Sequence, residues 1–313
     1  MKRATAKGSI SMELRDSKPE IKLIVCPIDF SEFSARAYDH AVSLAEHYQA
    51  KLMAVHIVEL WQHPSLGFAA TVETYEAYCQ DLRVDAQSRL REFLKNHAHD
   101  GVLPELSIQQ GTAPDSILSF AHVRKADLIV MGLHGRRGLD RLMLGSVTDR
   151  VMRSAQCPVL AVCHSTHESV GTVRENHHAH HLNRILFCAD FSENSDRALS
   201  YAISATAEYD AELILLHVLD ESPSPSEVEE VVAAATVQLD KLIAPQRRQG
   251  LKITTAVRIG KPYQQIIQLA LESQIDLVSM GVRGRGALDQ AIFGSTTYRV
   301  MQLGPCPVLT VHS

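Results

Sequence analysis

Apolar and polar residues alternate along this chain in two rhythms, and together these rhythms predict strands separated by helices. Short, almost continuously apolar runs such as Lys22–Pro27 and Lys51–Val58 are typical of strands that are buried on both faces. Between these runs, Ser31–Tyr48 places its apolar residues on one face of a helix. The first half continues with a helix over 72–97, a strand over 105–110, a helix over 112–122, a strand over 128–131, a helix over 146–153 and a strand over 159–162. Buried strands that alternate with helices indicate a doubly wound α/β fold with a parallel sheet.

The same order of elements occurs a second time, over residues 184–311. Ile24–Ser31 reads IVCPIDFS, and its counterpart Ile185–Ser192 reads ILFCADFS. The first copy carries 12 additional residues, which fall where Trp61 and Phe68 precede a predicted helix. A repeat of this length is larger than a solenoid unit, so each copy is expected to fold as a domain of its own.

The repeat fixes the predicted domain boundaries. We predict one domain over residues 20–164 and a second over residues 184–313. Residues 1–19 are polar and are predicted to be a disordered extension, and residues 165–183 are predicted to be a linker. The linker contains the histidine-rich run His177–His181, for which a solvated spacer and a metal-binding tract both remain open.

Composition excludes several classes of protein. The 313 residues are 45% apolar, which is enough for two cores, and the net charge of −5 with a pI near 6.3 gives no reason to expect nucleic-acid or anionic-membrane binding. No apolar run reaches the length of a membrane helix, and the N-terminal residues lack the apolar region of a signal peptide. Six cysteines without a C-x-x-C pair do not suggest a disulfide framework, so we expect a cytoplasmic protein.

Each half contains one glycine motif, G-x2-G-x9-G-S, directly after a short apolar run. Its defining residues are Gly132, Gly135, Gly145 and Ser146 in the first half and Gly281, Gly284, Gly294 and Ser295 in the second. Glycines at a strand exit let a ligand approach the backbone, and the N-terminus of the following helix attracts an anion. Asp29 and Asp190 end the first strand of each half, so they are expected at the same edge of the sheet as the glycines. The sequence therefore predicts one phosphate site in each half.

Each of these residues also has a purely structural interpretation. The glycines would form tight turns, Ser146 would be the N-cap of the helix that follows it, and Asp29 would cap the helix after the first strand. His56 is predicted to be a packed structural histidine rather than a catalytic one. The same alternatives apply to the counterparts in the second half.

Five motifs in a fixed order, each present twice, resemble the universal stress protein family. In the first half they are I-x-x-P-x-D-F-S, V-H-x-V/I, D-L-I-V-M-G-x-H-G, L-G-S-V and C-P-V-L. The resemblance covers nearly all of the chain except residues 1–19 and the linker, and two copies resemble the tandem-domain members of the family. It implies two flavodoxin-like, Rossmann-like α/β domains, each with a five-stranded parallel sheet and helices on both faces. It also implies membership of the ATP-binding branch, because the glycines and the serine are kept in both halves.

The resemblance implies a set of nucleotide-binding residues, with ATP as the cofactor, with or without Mg²⁺. In the first half the set is Pro27, Asp29, Ile57, Met131, Gly132, His134, Gly135, Gly145, Ser146 and Val147. In the second half it is Asp190, Val218, Met280, Gly281, Arg283, Gly284, Gly294, Ser295 and Thr296. The second half departs from the pattern, since Cys188 replaces Pro27 and Arg283 replaces His134. Arginines at 136, 137 and 285 keep positive charge in both loops, and no metal ligands of the protein itself are expected at these two sites.

Three functions are compatible with this sequence. The first is a stress-response protein that binds an adenine nucleotide in one or both domains as a regulatory module and acts on a protein partner that the sequence does not identify. The second is a scaffold or carrier with vestigial pockets that holds another small or apolar ligand. The third is a slow nucleotide hydrolase, although no P-loop and no other catalytic signature is present, so no catalytic residue is predicted. The final strands are sheet edges that would be a liability if left unpaired, and the resemblance implies that the two halves pair through them as a pseudo-dimer within one chain, which leaves a homodimer open.

Overall fold

The computed structural model describes residues 19–59, 72–99, 101–135, 144–163, 182–220, 226–248, 250–282 and 294–312. The chain divides into two compact units. The described residues of one lie within 21–162, and those of the other lie within 182–312, with residues 19, 20 and 163 in addition. Nearly all of the predicted N-terminal extension and of the linker, including His177–His181, falls outside the described residues. The same is true of Trp61 and Phe68.

The first domain alternates strands and helices without interruption. In chain order it contains β1 (Leu23–Pro27), α1 (Glu32–Tyr48), β2 (Lys51–Val58), α2 (Val72–Asn96), β3 (Glu105–Gln110), α3 (Ala113–Arg124), β4 (Leu128–Gly132), α4 (Ser146–Ser154) and β5 (Val159–Val162). Pro114 lies in the first turn of α3, where a missing backbone N–H costs nothing. The predicted order of elements is confirmed, and every predicted boundary lies within two residues of the observed one.

The five strands form a parallel sheet in the order β3-β2-β1-β4-β5. The chain therefore proceeds from β1 to one side for β2 and β3, and returns to the other side of β1 for β4 and β5. All five residues of β4 are buried, and so are seven of the eight residues of β2. Because successive strand residues point to opposite faces, this burial requires cover on both faces of the sheet. The reversal of strand order leaves a switch point between the carboxyl ends of β1 and β4, where ligands of such folds bind.

Helix α1 shows how local sequence sets the position of an element beside the switch point. Ser31 is its N-cap, and the Ser31 side chain accepts a hydrogen bond from the Ser34 N–H. The helix buries a stripe that includes Ala37, Tyr38 and Ala41 against the sheet. It ends at Gln49, which adopts a left-handed conformation and turns the chain into β2.

The second domain repeats this architecture. It contains β6 (Arg184–Cys188), α5 (Glu193–Tyr209), β7 (Glu212–Leu219), α6 (Val228–Arg248), β8 (Ile253–Ile259), α7 (Pro262–Glu272), β9 (Leu277–Gly281), α8 (Ser295–Leu303) and β10 (Val308–Val311). Its sheet order is β8-β7-β6-β9-β10, again with parallel neighbours. Each domain is therefore a doubly wound α/β unit with its own switch point, as predicted. Among the described helices, none combines the length and the apolar character that crossing a membrane requires.

Candidate functional site

The exit of β1 is an ordered turn organised by Asp29. Its Oδ1 atom accepts hydrogen bonds from the Ser31 N–H at 3.0 Å and from the Ser31 hydroxyl at 2.6 Å. Ser31 in turn caps α1. The suggestion that Asp29 itself is the N-cap is therefore wrong, because the carboxylate holds the capping residue instead. This arrangement fixes the orientation of the Asp29 side chain at the edge of the switch point.

Phe30, between these two residues, has a φ of 66°, a conformation that side chains other than glycine rarely adopt. Its ring packs on the ring of His56, with 4.4 Å between centroids, and the Arg89 guanidinium lies 4.5 Å from the Phe30 ring centroid. His56 is buried, and its Nδ1 donates a hydrogen bond to the Ile28 carbonyl oxygen at 2.6 Å. These contacts hold the strained turn in place, and His56 has the structural role that was predicted for it.

The exit of β4 is tied to the start of α4. The Leu133 N–H donates to the Val162 carbonyl of β5 at 3.0 Å, which continues the sheet by one residue. The next two bonds come from α4 and its cap, because the Gly145 N–H donates to the Leu133 carbonyl at 3.1 Å and the Thr148 hydroxyl donates to the Gly132 carbonyl at 2.9 Å. The two ends of the glycine motif, at the exit of β4 and at the start of α4, are thus bonded directly to each other.

The first two motif glycines are needed for different reasons. A Cβ atom on Gly132 would lie 2.8 Å from the backbone carbonyl of Phe33 in α1, so the absence of a side chain allows α1 to pack on β4. A Cβ atom on Gly135 would lie 2.8 Å from Oδ2 of Asp29. The prediction that the first-strand aspartate and the glycine motif converge is confirmed by this close approach. Gly132 has a packing role, whereas Gly135 faces the carboxylate.

The N-terminus of α4 has no side-chain cap. Its N-cap is Gly145, which has no side chain that could bond the N–H groups of the first turn. Ser146 is therefore the first helical residue and is exposed, so the suggestion that this serine is the N-cap is wrong. A helix start of this kind presents backbone N–H groups and the positive end of the helix dipole.

The remaining predicted residues of the first site lie in two environments. Met131 is buried in β4 and Ile57 is buried in β2, so only their backbones are placed at the strand ends. His134 is buried as well, with its ring 5.0 Å from that of Phe33. Pro27 and Val147 are partly exposed, at the end of β1 and in the first turn of α4. The arrangement brings backbone groups, one carboxylate and a helix N-terminus to the switch point.

The second domain reproduces the first turn. Asp190 Oδ1 accepts from the Ser192 N–H at 3.0 Å and from its hydroxyl at 2.6 Å, and Ser192 caps α5. Phe191 has a φ of 58° and packs on His217, whose Nδ1 donates to the Ala189 carbonyl at 2.7 Å.

The second glycine motif makes the same bonds at the exit of β9 as the first motif makes at the exit of β4. The Gly294 N–H donates to the Val282 carbonyl at 3.2 Å, and the Thr297 hydroxyl donates to the Gly281 carbonyl at 3.2 Å. Gly294 is the N-cap of α8 without a side-chain bond, so Ser295, like its counterpart, is not the N-cap.

The other predicted residues of the second site resemble those of the first, except that Val218 is more exposed than its buried counterpart Ile57. Met280 is buried, whereas Val218 and Thr296 are partly exposed. Arg283 and Gly284 lie outside the described residues, as do the loop arginines at 136, 137 and 285.

Cys188 takes the position of Pro27 in the second domain. Burial, followed by the nearby Asp190 carboxylate, raises the pKa of the Cys188 thiol well above its ordinary range. The thiol therefore keeps its proton at neutral pH and is a weak nucleophile. Within the described residues, no three histidine, cysteine or acidic side chains are grouped as ligands for a metal ion.

The family of this chain follows from a family model that matches it twice. The model described as the universal stress protein family covers residues 20–162 and 181–312, which together make up most of the sequence. The chain belongs to the universal stress protein family. Its two family domains are in tandem, and each contains one candidate site at its switch point.

This universal stress protein is similar to relatives of both one-domain and two-domain length. It is 36% identical over 149 residues to universal stress protein MJ0531 of Methanocaldococcus jannaschii, a match that covers 48% of this chain and 86% of that protein. It is 25% identical over 300 residues to a universal stress protein of Mycolicibacterium smegmatis, covering 92% and 96% of the two chains. The crystal structure of a universal stress protein from Archaeoglobus fulgidus matches with a TM-score of 0.71 at 22% identity, over 93% of this chain and 98% of that one, which shows a common fold.

Sequence reasoning about this universal stress protein missed three residues of each site. They are Ser31, Phe30 and Thr148 in the first domain and Ser192, Phe191 and Thr297 in the second. All six recur at equivalent positions in the repeat, and this recurrence was the available signal. Their roles depend on contacts with distant segments, which the repeat alone does not reveal.

Proposed function

We propose that this universal stress protein binds an adenine nucleotide, ATP with Mg²⁺, at the switch point of one or both domains and acts as a regulatory module. The observation that carries the proposal is the close approach of Gly135 to the Asp29 carboxylate, beside a helix start that has no side-chain cap. A nucleotide has both parts that such a site favours, a polyanion for the helix and hydroxyl groups for a carboxylate.

The phosphates are assigned to the start of α4. Gly145 offers no side chain that would compete for the first N–H groups, and Ser146 is exposed beside them. The helix dipole is equivalent to a positive partial charge of about half an elementary charge at this end. The Gly145 N–H bonds the Leu133 carbonyl, so the described ends of the glycine motif meet beside this helix start.

The nucleoside is assigned to the exit of β1. A carboxylate next to a bare phosphate is repulsive, so Asp29 is better placed to accept hydrogen bonds from ribose hydroxyls or to reach a phosphate through Mg²⁺. Its Oδ1 atom is already engaged by Ser31, and its Oδ2 atom faces Gly135. The backbone of Ile57 at the end of β2 is assigned to the adenine, by resemblance to the family.

The binding proposal is tested by calorimetry with ATP and Mg²⁺ on the wild-type chain and on a double variant, Asp29→Asn with Asp190→Asn. Asparagine keeps the oxygen that Ser31 and Ser192 bond, so the turns are retained while the charge is lost. An Asp210→Asn variant is the matched control, because Asp210 is exposed and pairs with Lys252. We expect the double variant to bind more weakly and the control to bind as the wild type does. Absence of heat and of a thermal shift for the wild type would refute the proposal.

The carrier hypothesis has one observation in its favour. A groove of about 310 Å³ lies at the start of α2, directly after the additional residues of the first domain. Its lining consists of Tyr75, Glu76, Cys79, Gln80, Arg83 and Gln110. Because most of these side chains are polar, the groove suits a polar ligand rather than an apolar one. Mass spectrometry of small molecules released from the denatured protein distinguishes such a ligand from an adenine nucleotide.

Hydrolysis and assembly need separate measurements. If the protein is a slow hydrolase, phosphate release must fall in the Asp29→Asn and Asp190→Asn variant along with binding. Light scattering tests assembly, because a monomeric mass agrees with pairing of the two domains inside one chain, whereas a dimeric mass indicates pairing between chains. Cytoplasmic location and a protein partner remain predictions of the sequence.

A further inference from the structure

The start of α4 is attached to the end of β4 by a buried hydroxyl group. Thr148 is the third residue of the helix and is only 3% exposed, and its hydroxyl donates to the Gly132 carbonyl at 2.9 Å. The Gly145 N–H donates to the adjacent Leu133 carbonyl at 3.1 Å. Two successive carbonyls at the strand exit are therefore bound by the first turn of the helix and its cap.

This arrangement differs from an ordinary helix start. In a capping box, the N-cap side chain bonds the N–H of the third residue, and the side chain of the third residue bonds the N-cap N–H. Here the N-cap is a glycine without a side chain, its N–H bonds the strand, and the side chain of the third residue bonds the strand as well. The contacts that usually close a helix start onto itself are directed to β4 instead.

The second domain has the same pair of bonds. The Thr297 hydroxyl donates to the Gly281 carbonyl, and the Gly294 N–H donates to the Val282 carbonyl, both at 3.2 Å. Thr297 is also 3% exposed. The two motifs differ in the residue after the motif serine, Val147 against Thr296, but not in this threonine.

We propose that Thr148 and Thr297 are positioning residues that hold the N-terminus of α4, and of α8, at a fixed distance from the strand exit so that its N–H groups meet the phosphates of a bound nucleotide. The inference rests on the proposed nucleotide site. Thr148 is buried on the strand side of the helix, so it acts through the helix and does not itself touch the ligand.

The role predicts a selective loss of affinity. Without the hydroxyl, the Gly132 carbonyl loses its buried donor, and the helix start can move relative to the carboxylate at the exit of β1. Phosphate contacts depend on that spacing, whereas contacts of the base and the ribose with the β1 and β2 exits do not. Affinity for ATP should therefore fall, and affinity for adenosine should not.

The test is calorimetry of ATP with Mg²⁺, and separately of adenosine, on three proteins. These are the wild type, a Thr148→Val and Thr297→Val variant that loses both hydroxyls at nearly constant shape, and a Thr148→Ser and Thr297→Ser variant that keeps them. We expect the valine variant to lose at least about fivefold in ATP affinity, the equivalent of one hydrogen bond, with adenosine affinity changed less than about twofold. The serine variant should bind both ligands as the wild type does. If the valine variant does not fold, alanine at both positions removes the hydroxyls without adding a branched methyl group.

The outcomes separate the two proposals. A valine variant that binds ATP as tightly as the wild type overturns the positioning role and leaves the nucleotide site intact. An equal loss for ATP and adenosine also overturns it, because that result indicates general damage to the domain. A wild-type protein that binds neither ligand refutes the nucleotide site, and the positioning role is refuted with it.

Discussion

Gly132→Ala should mainly reduce stability, whereas Gly135→Ala should mainly reduce nucleotide binding, although both glycines belong to one motif. Neither residue is among those with a left-handed φ, so alanine can adopt both backbone conformations. The difference lies in what the new methyl group meets. At Gly132 it meets the Phe33 backbone carbonyl and Cβ at 2.8 Å, and at Gly135 the described neighbour that it meets is the Asp29 carboxylate.

The cost at Gly132 follows from the distance. Carbon atoms in van der Waals contact lie about 3.5–4.0 Å apart, so the Gly132→Ala methyl overlaps the α1 backbone by roughly 0.7 Å or more. Helix α1 cannot rotate away as a side chain can, because Ser31 caps it and Asp29 holds Ser31. Overpacking of this kind costs about 1–3 kcal/mol of unfolding free energy. For a domain of this size, the melting temperature should fall by about 3–10 °C.

Gly135→Ala should instead act on the carboxylate. The Asp29 side chain can rotate its Oδ2 atom away at a cost to stability below about 1 kcal/mol, but the displaced carboxylate no longer faces the site. Calorimetric melting without nucleotide, followed by ATP titration, measures both effects on the same samples. The reasoning is refuted if Gly132→Ala melts as the wild type does while losing nucleotide, or if Gly135→Ala is the less stable variant.

Three further predictions concern the first domain. Ser31→Ala removes both the cap of α1 and the partner of Asp29, so urea unfolding should show a loss of about 1–2 kcal/mol, and a loss below about 0.3 kcal/mol would contradict the capping role. Burial, and then nearby Asp39, raises the pKa of the Cys26 thiol above its ordinary range, so the folded state keeps the proton that the unfolded chain releases above about pH 8.5. The contribution of this thiol to the unfolding free energy is therefore fully present below that pH and falls above it by up to about 1.4 kcal/mol per pH unit. In urea unfolding between pH 8 and 10, the stability of Cys26→Ala should decline less steeply than that of the wild type. An unchanged slope would exclude the thiol as the cause of the decline. Arg150→Ala breaks an ion pair with Asp115 whose side chains are 60% and 51% exposed, so it should change the unfolding free energy by less than about 0.5 kcal/mol, and a larger loss would reveal a role beyond the pair.

The fold could be predicted from the sequence because its strands are buried on both faces. A strand such as Lys51–Val58 is almost continuously apolar, so its ends are visible as changes in polarity, and the structure gives the same bounds. Because the same order of elements occurs twice in the sequence, each element of one half could be checked against its counterpart in the other half. Helix starts were less certain, because in the run Gly145-Ser146 either residue is an acceptable N-cap. The structure selects the glycine, since its N–H is needed by the Leu133 carbonyl.

The parts of the site that were not predicted depend on contacts between distant segments. A phenylalanine rarely has a positive φ, so nothing local indicates that Phe30 turns the chain at the β1 exit. The conformation is stabilised by His56 from β2 and Arg89 from α2. Likewise, Thr148 looks like an ordinary residue of an amphipathic helix until the strand carbonyl beside it is known. Sequence motifs predicted where the candidate site lies, but the contacts that hold its turns in place were found only in the structure.

The two sites share a backbone framework and differ in the side chains around it. Three features recur with similar distances in both domains: the turn held by the aspartate, the left-handed phenylalanine packed on a histidine, and the hydrogen bond from the helix threonine to the strand carbonyl. The guanidinium of Arg89, however, lies against the Phe30 ring in the first domain. Its counterpart in the second domain is the uncharged Gln238, since both residues directly precede a buried leucine, Leu90 or Leu239. Cys188 also replaces the rigid Pro27. A difference in ligand affinity between the domains would therefore originate in charge and in the stiffness of the first-strand exit, because the framework that positions the helix N-terminus is the same in both.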